Sequence, residues 1–241
     1  MDCRTGATGD FQAGEMRHGP QVILFDAVGT LIYPEPPVAK VYGEVARQHG
    51  IALPSEEIGR RFRLAFQEQE AIDAANGQRT DEPRERERWQ GIVAEVFHDQ
   101  AGPSAPFEDL WNHFAKPEHW ATYPEVGDTL SRLAGWGIVL GMASNFDGRL
   151  RGIVAGLPAL APIRELFISS EMGWKKPAAE FYQSVLERIG QPAEEVLMVG
   201  DHPVNDAEPA GKLGMRTAIV DRSAGRDLVV ALTPFMSYSD V

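Results

Sequence analysis

The stretch Val22-Ile23-Leu24-Phe25-Asp26-Ala27-Val28-Gly29-Thr30-Leu31 decides the reading of this chain. Four consecutive apolar residues read as a short, fully buried strand. An acid stands where that strand ends, and a glycine follows three residues later. A carboxylate is costly to bury, so Asp26 belongs at an open strand end or in a polar site. In open parallel sheets ligands bind at the carboxyl ends of the strands, which puts Asp26 where chemistry is expected.

The pattern recurs after residue 122. Ile138-Val139-Leu140-Gly141-Met142-Ala143 is a predicted strand ending at Ser144-Asn145, and Leu166-Phe167-Ile168 is another. Val196-Leu197-Met198-Val199 ends at Gly200-Asp201, and Thr217-Ala218-Ile219-Val220 precedes Asp221. Helices are expected between them: residues 125–136, from Asp147 to about Val154, 177–189, and from about Asn205 to Leu213. Strands alternating with helices predict an α/β fold built on a parallel sheet, with the opening strand in the same sheet.

The segment between the first two strands reads differently. Ile32-Tyr33-Pro34-Glu35-Pro36-Pro37 carries three prolines in four positions and marks a rigid connection. Beyond it, residues 38 to about 116 look all-helical. Val38, Val41, Tyr42, Val45 and Ala46 follow the 3.6-residue period up to Gly50. Ser55 is placed to cap a second helix, striped by Ile58, Phe62, Phe66 and Ile72 and stopped by Asn76-Gly77. Trp89, Ile92, Val93, Val96 and Phe97 mark a third helix; Phe107, Leu110, Trp111 and Phe114 mark a short fourth. Four such helices make a small bundle inserted into the sheet domain. The charged run 81–88 reads as a solvated helix start. His98, His113 and His119 share no metal-like spacing and read as surface or packing residues. The expected organisation is a tail at 1–20, a core at 21–35 and 120–241, and a helical unit at 36–119.

Composition narrows the function classes. The chain has 241 residues, 43% hydrophobic and 24% charged, with a net charge of −12. That balance argues against a nucleic-acid or anionic-membrane binder, which carries basic patches. Cys3 is the only cysteine, so no intrachain disulfide forms; this fits a reducing, cytoplasmic setting. No apolar run reaches membrane-spanning length, and residues 1–20 lack the apolar segment of a secretory signal.

Parallel strands bring their ends to one sheet edge. Asp26, Ser144-Asn145 and Gly200-Asp201 therefore meet there, with Gly173-Trp174-Lys175-Lys176-Pro177 at a helix start beside them. Asp26 and Asp201 can share a hard divalent cation, and Mg²⁺ suits one or two carboxylates plus phosphate oxygens and waters. Ser144, the amides near Asn145 and the ammonium of Lys176 can hold phosphate oxygens. A carboxylate can then attack phosphorus and form an acyl phosphate.

These residues resemble the haloacid dehalogenase-like (HAD) hydrolase superfamily. Its four motifs stand in order: Asp26-Ala27-Val28-Gly29-Thr30-Leu31; Ala143-Ser144-Asn145; Lys176-Pro177 with Phe181 behind it; and Gly200-Asp201-His202-Pro203-Val204-Asn205-Asp206. The resemblance spans about residues 20–222, including a helical cap inserted between the first and second motifs. It implies a Rossmann-like parallel sheet with helices on both faces and an active site under the cap. It implies Asp26 as nucleophile and metal ligand, with the Val28 carbonyl and Asp201 as further ligands to Mg²⁺. It implies Ser144 and Asn145 with Lys176 at the substrate phosphoryl group, Lys176 as the charge-neutralising residue, and Asp206 in support. Asp206 also reads as a helix cap, and His202 as structural, though close enough to substitute for a missing acid.

One position departs from the family. Phosphatases of the superfamily carry a second Asp two residues after the nucleophile, which protonates the leaving group; here Val28 stands there and cannot transfer a proton. A general acid contributes about 10²–10⁴ in rate. The expectation is thus a Mg²⁺-dependent, phosphatase-like hydrolase of a small phosphorylated molecule, weak on ordinary esters. The alternatives are haloacid dehalogenation and a non-catalytic metal- or phosphate-binding descendant. Dehalogenases also lack the second Asp, but they use no metal and lack the Gly-Asp pair seen here at Gly200-Asp201. The phosphonate-cleaving branch needs a cap lysine, and the cap has only Lys40 and Lys116. Neither substrate identity nor oligomeric state has a signature in the chain.

Overall fold

The computed structural model describes residues 19–98 and 105–236. The expected tail, with Cys3, lies outside the described residues apart from Gly19 and Pro20. In chain order the elements are β1 (Val22–Phe25), β2 (Ile32–Pro34), α1 (Val38–Gln48), α2 (Ser55–Ala75), α3 (Glu82–Phe97) and α4 (Ala105–His113). Then come β3 (Trp120–Thr122), α5 (Val126–Gly135), β4 (Val139–Ser144), α6 (Arg149–Gly156), β5 (Glu165–Ile168) and α7 (Ser169–Met172). The chain continues through α8 (Ala179–Ile189), β6 (Val196–Gly200), α9 (Glu208–Lys212), β7 (Arg216–Ile219) and α10 (Leu228–Leu232).

Five strands form one parallel sheet in the order β5-β4-β1-β6-β7, with β1 at its centre. All four β1 residues are buried, as a strand covered on both faces requires. Their side chains alternate between two cores. Ile23 and Phe25 pack with Leu130, Leu133, Met142, Ile153 and Leu197 on the face covered by α5, α6 and α10. Val22 and Leu24 pack with Phe181, Tyr182, Val185 and Met198 on the face covered by α8 and α9. The fold is the Rossmann-like α/β sheet that the sequence implies. Phe25 lies level with Met142 on one side and Val199 on the other, so Asp26 leaves the sheet beside the ends of β4 and β6.

Helices α1–α4 hold a third core of their own, with Tyr42, Val45, Ile58, Val93, Val96, Phe97 and Leu110 buried together. The proline-rich entry is more than a connector. Its first three residues are β2, which pairs antiparallel with β3, so Tyr33 faces Ala121 where the chain enters and leaves the bundle. Ser55 is the first residue of α2 rather than its cap; Pro54 precedes it and no side chain caps the helix. Ile72 is exposed, because the step from Phe66 turns it off the buried face. The helix expected from Asn205 starts earlier, as a π-helical turn from Pro203 to Ala207 that runs into α9.

The charged run 81–88 is the largest correction. Asp81 caps α3 by accepting from the Arg84 amide, as a solvated start would. Yet Glu85 and Arg88 are buried, and the run joins the bundle to the sheet domain. Asp73 of α2, wholly buried, accepts from Arg84 (2.6 Å), from Arg88 (3.0 Å) and from the Lys175 ammonium (2.7 Å). Glu70 takes Lys175 at 3.1 Å and also Arg88. Around this cluster the backbones join: Thr80 N–H donates to Gly173 O and Lys175 N–H to Gln78 O, while Arg79 lies 4.2 Å over the Trp174 ring. Glu82 accepts from Gly148 N–H at 2.8 Å and from the Ser170 hydroxyl.

Removing one partner of a buried ion cluster strands the others without water or countercharge. Asp73→Ala is therefore expected to cost about 3–5 kcal/mol in urea unfolding. Asp109→Ala, which breaks the exposed 2.7 Å pair with His49, is expected to cost under about 1 kcal/mol. Equal losses in the two variants would contradict the assignment of Asp73 as the anchor.

Candidate active site

The strand ends converge on one ammonium. Lys176, buried to 2% exposure, donates from Nζ to Asp26 Oδ1 at 2.7 Å and to Asp206 Oδ1 at 2.5 Å. Ser144, at the end of β4, donates its hydroxyl to the same Asp26 Oδ1 at 3.1 Å. Asn145 acts through the backbone of Lys176: its amide donates to Lys176 O at 2.8 Å, and its Oδ1 accepts from Lys176 N–H at 2.7 Å. The Asn145 side chain is thus committed to fixing the lysine, a bond that the sequence reading, which offered the amides near Asn145 to phosphate oxygens, did not foresee.

Asp206 reaches back from the π-helical turn. Its Oδ2 accepts from His202 N–H at 3.0 Å while Oδ1 holds Lys176. Tyr182 of α8 fixes that turn, its hydroxyl donating to Asn205 O at 2.6 Å. Two glycines are dictated by close approach. A Cβ on Gly200 would lie 2.2 Å from the Asp206 carboxyl carbon, and one on Gly29 would lie 2.3 Å from Asp201 Oδ2. Gly29 also sits at φ +91°, which L side chains rarely adopt. Arg222, after β7, holds this loop from outside by donating to Thr30 O at 2.6 Å and Gly29 O at 3.2 Å.

The electrostatics are lopsided. Three carboxylates, Asp26, Asp201 and Asp206, share one ammonium. Burial pushes the Asp26 carboxyl up to about 6, opposed by Lys176 and reinforced by Asp206 and Asp201. Asp201, open to the cavity, is raised too, by partial loss of water around it and by Asp206. Burial disfavours the charged lysine, but Asp26 and Asp206 outweigh it and hold Lys176 protonated. A site with surplus negative charge suits a cation. Asp26 Oδ2 and the Val28 carbonyl accept no hydrogen bond among the described residues, and Asp201 lies exposed beside them. Among the described residues no three His, Cys, Asp or Glu side chains are grouped to bind a metal. Two carboxylates and a carbonyl are still a fitting donor set for Mg²⁺, which keeps several waters.

A cavity of about 640 Å³ opens over Asp26 between the sheet edge and the helical bundle. Asp26, Ser144, Asn145, Lys176, Asp201 and Asp206 line its floor, together with the half-exposed, apolar Val28 side chain. His202 lines it too; its Nδ1 accepts from Asn205 N–H, a helix-capping role. Lys175 points instead to Asp73 and Glu70. His113 and His119 stack at 3.6 Å, a packing pair. The sequence reading missed Tyr182, Arg222 and the bundle acids; only the position of Tyr182, beside the motif residue Phe181, hints at its role.

The profile of the haloacid dehalogenase-like hydrolase family matches residues 20–214. The haloacid dehalogenase-like hydrolase domain-containing protein 3 of Danio rerio is 30% identical over 224 residues, covering 91% of this chain and 92% of that protein. A phosphoglycolate phosphatase of Rhodospirillum rubrum is 23% identical, covering 92% and 88%. Among solved structures, a HAD-hydrolase, YfnB from Bacillus subtilis, bound to magnesium, superposes with a TM-score of 0.73 at 19% identity, over 90% of this chain and 99% of that one. L-2-haloacid dehalogenases share the fold as well. Among the described residues no helix is long and apolar enough to cross a membrane.

Folding raises the Asp26 pKa from 3.8 to about 6. Between those values the folded chain holds more protons than the unfolded one, so the ionised carboxylate lowers stability as pH rises through that window. The full effect is on the order of 2–3 kcal/mol. Without divalent metal, Asp26→Asn is expected to be more stable than wild type above pH 6.5, and the gain is expected to vanish below about pH 4. Urea unfolding at several pH values checks this, and a destabilised Asn variant at pH 7 would refute it.

Proposed function

Because this chain belongs to the haloacid dehalogenase-like hydrolase family, we propose that it is a Mg²⁺-dependent hydrolase of a small phosphorylated substrate, acting through Asp26. The observation that carries this reading is the shared ammonium. Lys176 neutralises the buried pair Asp26 and Asp206, and one Asp26 oxygen stays free of hydrogen bonds beside the cavity. Residues 36–119 serve as cap and residues 21–35 and 120–241 as core in this reading, with the substrate between them. A reducing, cytoplasmic setting fits the single cysteine.

Asp26, Asp201 and the Val28 carbonyl would hold the Mg²⁺. When bound, it offsets the repulsion between the carboxylate and the phosphoryl group. Ser144 and Lys176 orient the phosphoryl oxygens and stabilise the charge that develops on them. Asp26 attacks phosphorus, the P–O ester bond breaks, and the electron pair leaves with the ester oxygen. Water then hydrolyses the acyl phosphate, releasing inorganic phosphate and restoring the carboxylate. Asp206 and Asn145 keep the lysine in place. Val28 supplies no proton to the leaving group and no base to the water.

The phosphatase reading is supported over dehalogenation by Gly200-Asp201, because the Asp201 carboxylate beside Asp26 suits a cation and has no task in a metal-free displacement of halide. The relative named phosphoglycolate phosphatase points the same way. The test is phosphate release from a panel of esters and acyl phosphates with Mg²⁺. Wild type is expected to exceed Asp26→Asn on at least one compound, and Val28→Asp to raise turnover of alkyl esters by about 10²–10⁴. Halide release from short 2-haloacids without metal, with no phosphate release, would replace this reading with dehalogenation.

A further inference from the structure

Resting on the phosphoryl-transfer reading above, we propose that the substrate is an aryl phosphate monoester: one phosphate on a phenolic oxygen, carried by a ring without a second anionic group. Two independent features of the cavity converge on this class.

The first is what the wall offers. Above the polar floor the cavity is lined by Tyr42, Phe62, Phe66, Trp89, Trp120 and Phe146. Phe62, Phe66 and Trp89 sit 6.1 to 6.5 Å apart, ring centre to ring centre, on the bundle side. Such a surface takes a flat apolar body by stacking and edge contacts. About 640 Å³ is room for one or two fused rings. What the wall withholds is equally informative. The lysines and arginines that line the cavity are Arg88, Arg149, Lys175 and Lys176. Arg88 is held by Asp73 and Glu70, and Lys175 by the same two acids. Arg149 is bound by both oxygens of Asp147 at 2.7 Å, with Trp111 stacked against it at 3.5 Å. Lys176 belongs to Asp26 and Asp206. None of these cations is left for a second phosphate or a carboxylate, and Glu70 and Glu85 face the same space. A substrate with a second anion, such as a phosphorylated hydroxy acid, would bury it unpaired.

The second feature is Val28. It stands beside Asp26 with an apolar side chain, so that position gives the leaving oxygen no proton. An alkoxide, whose conjugate acid is nearly as weak an acid as water, leaves poorly under those terms. A phenolate, whose conjugate acid has a pKa of about 10, leaves without help. The missing acid therefore selects against alkyl esters, and the aromatic wall selects for the ester that tolerates its absence. In the reaction the Asp26 oxygen bonds to phosphorus, the P–O(aryl) bond breaks, and the aryl oxygen keeps the electron pair and takes its proton from solvent. Water then adds to the acyl phosphate, so the balance is ester plus water to phenol plus inorganic phosphate.

The experiment compares kcat/KM of the full chain with Mg²⁺ on phenyl, 1-naphthyl and cyclohexyl phosphates, acetyl phosphate and phosphoglycolate, each against Asp26→Asn. Phenyl and 1-naphthyl phosphates are expected to exceed cyclohexyl phosphate, similar in size but a poor leaving group, by at least about 10²-fold. They are also expected to exceed acetyl phosphate, a good leaving group without a ring, and phosphoglycolate. Phe66→Ala is expected to lower kcat/KM for 1-naphthyl phosphate about tenfold, chiefly through KM. Asp26-dependent release in which phosphoglycolate, acetyl phosphate or cyclohexyl phosphate matches the aryl esters would overturn the aryl class while leaving the hydrolase reading intact. Absence of Asp26-dependent release from every compound would overturn both.

Discussion

One buried ammonium sets the terms for this site. Lys176 is removed from water and would be strongly destabilising without a countercharge. Asp26 and Asp206 supply that charge from two different strand ends, at 2.7 and 2.5 Å. Much of the surrounding structure serves to keep the three groups in register. Asn145 clamps the lysine backbone, Tyr182 fixes the turn that carries Asp206, and Gly200 leaves room for the Asp206 carboxyl. The parallel register of β1, β4 and β6 brings their ends to one edge, so a chemical site follows from sheet geometry.

The neighbouring lysine is pulled the opposite way. Lys175 turns into the helical bundle, where Asp73 and Glu70 hold it with Arg88, and its amide bonds to Gln78 O. Adjacent residues thus anchor two units: one lysine ties the bundle to the sheet domain, the next neutralises Asp26. Such a cluster gives geometric definition more than net stability, because desolvation offsets much of the attraction between buried ions. Its consequence here is placement. The aromatic wall borne on the bundle stands over Asp26 because the segment 173–176 is bonded on both sides.

Much of this was legible in the chain. The buried strands, the four helices of the insertion and the residues at each strand end follow from apolar runs, helical periodicity and turn residues, whereas the strand order around β1 does not. Local patterns report these directly, since each depends on neighbours in sequence. The residues missed are those whose partners lie far away. Arg88 looks like part of a solvated helix face until Asp73 meets it from 15 residues away, with Lys175 arriving on the same Asp73 from 102 residues further along the chain. The Asn145 side chain shows no partner in the sequence until Lys176, 31 residues on, occupies both ends of its amide. Pro34 argues against a strand interior, yet β2 is the edge of a two-stranded ribbon where a proline is tolerated.

The central claim is that Asp26 becomes phosphorylated. Because Val28 offers no base to activate water, the acyl phosphate should outlive its formation and accumulate. The direct measurement is mass spectrometry of acid-quenched wild-type protein mixed with phenyl phosphate and Mg²⁺. The account predicts a phosphoryl group on the peptide carrying Asp26, absent in Asp26→Asn. Phosphate release at full rate with no adduct on that peptide at any quench time would contradict it.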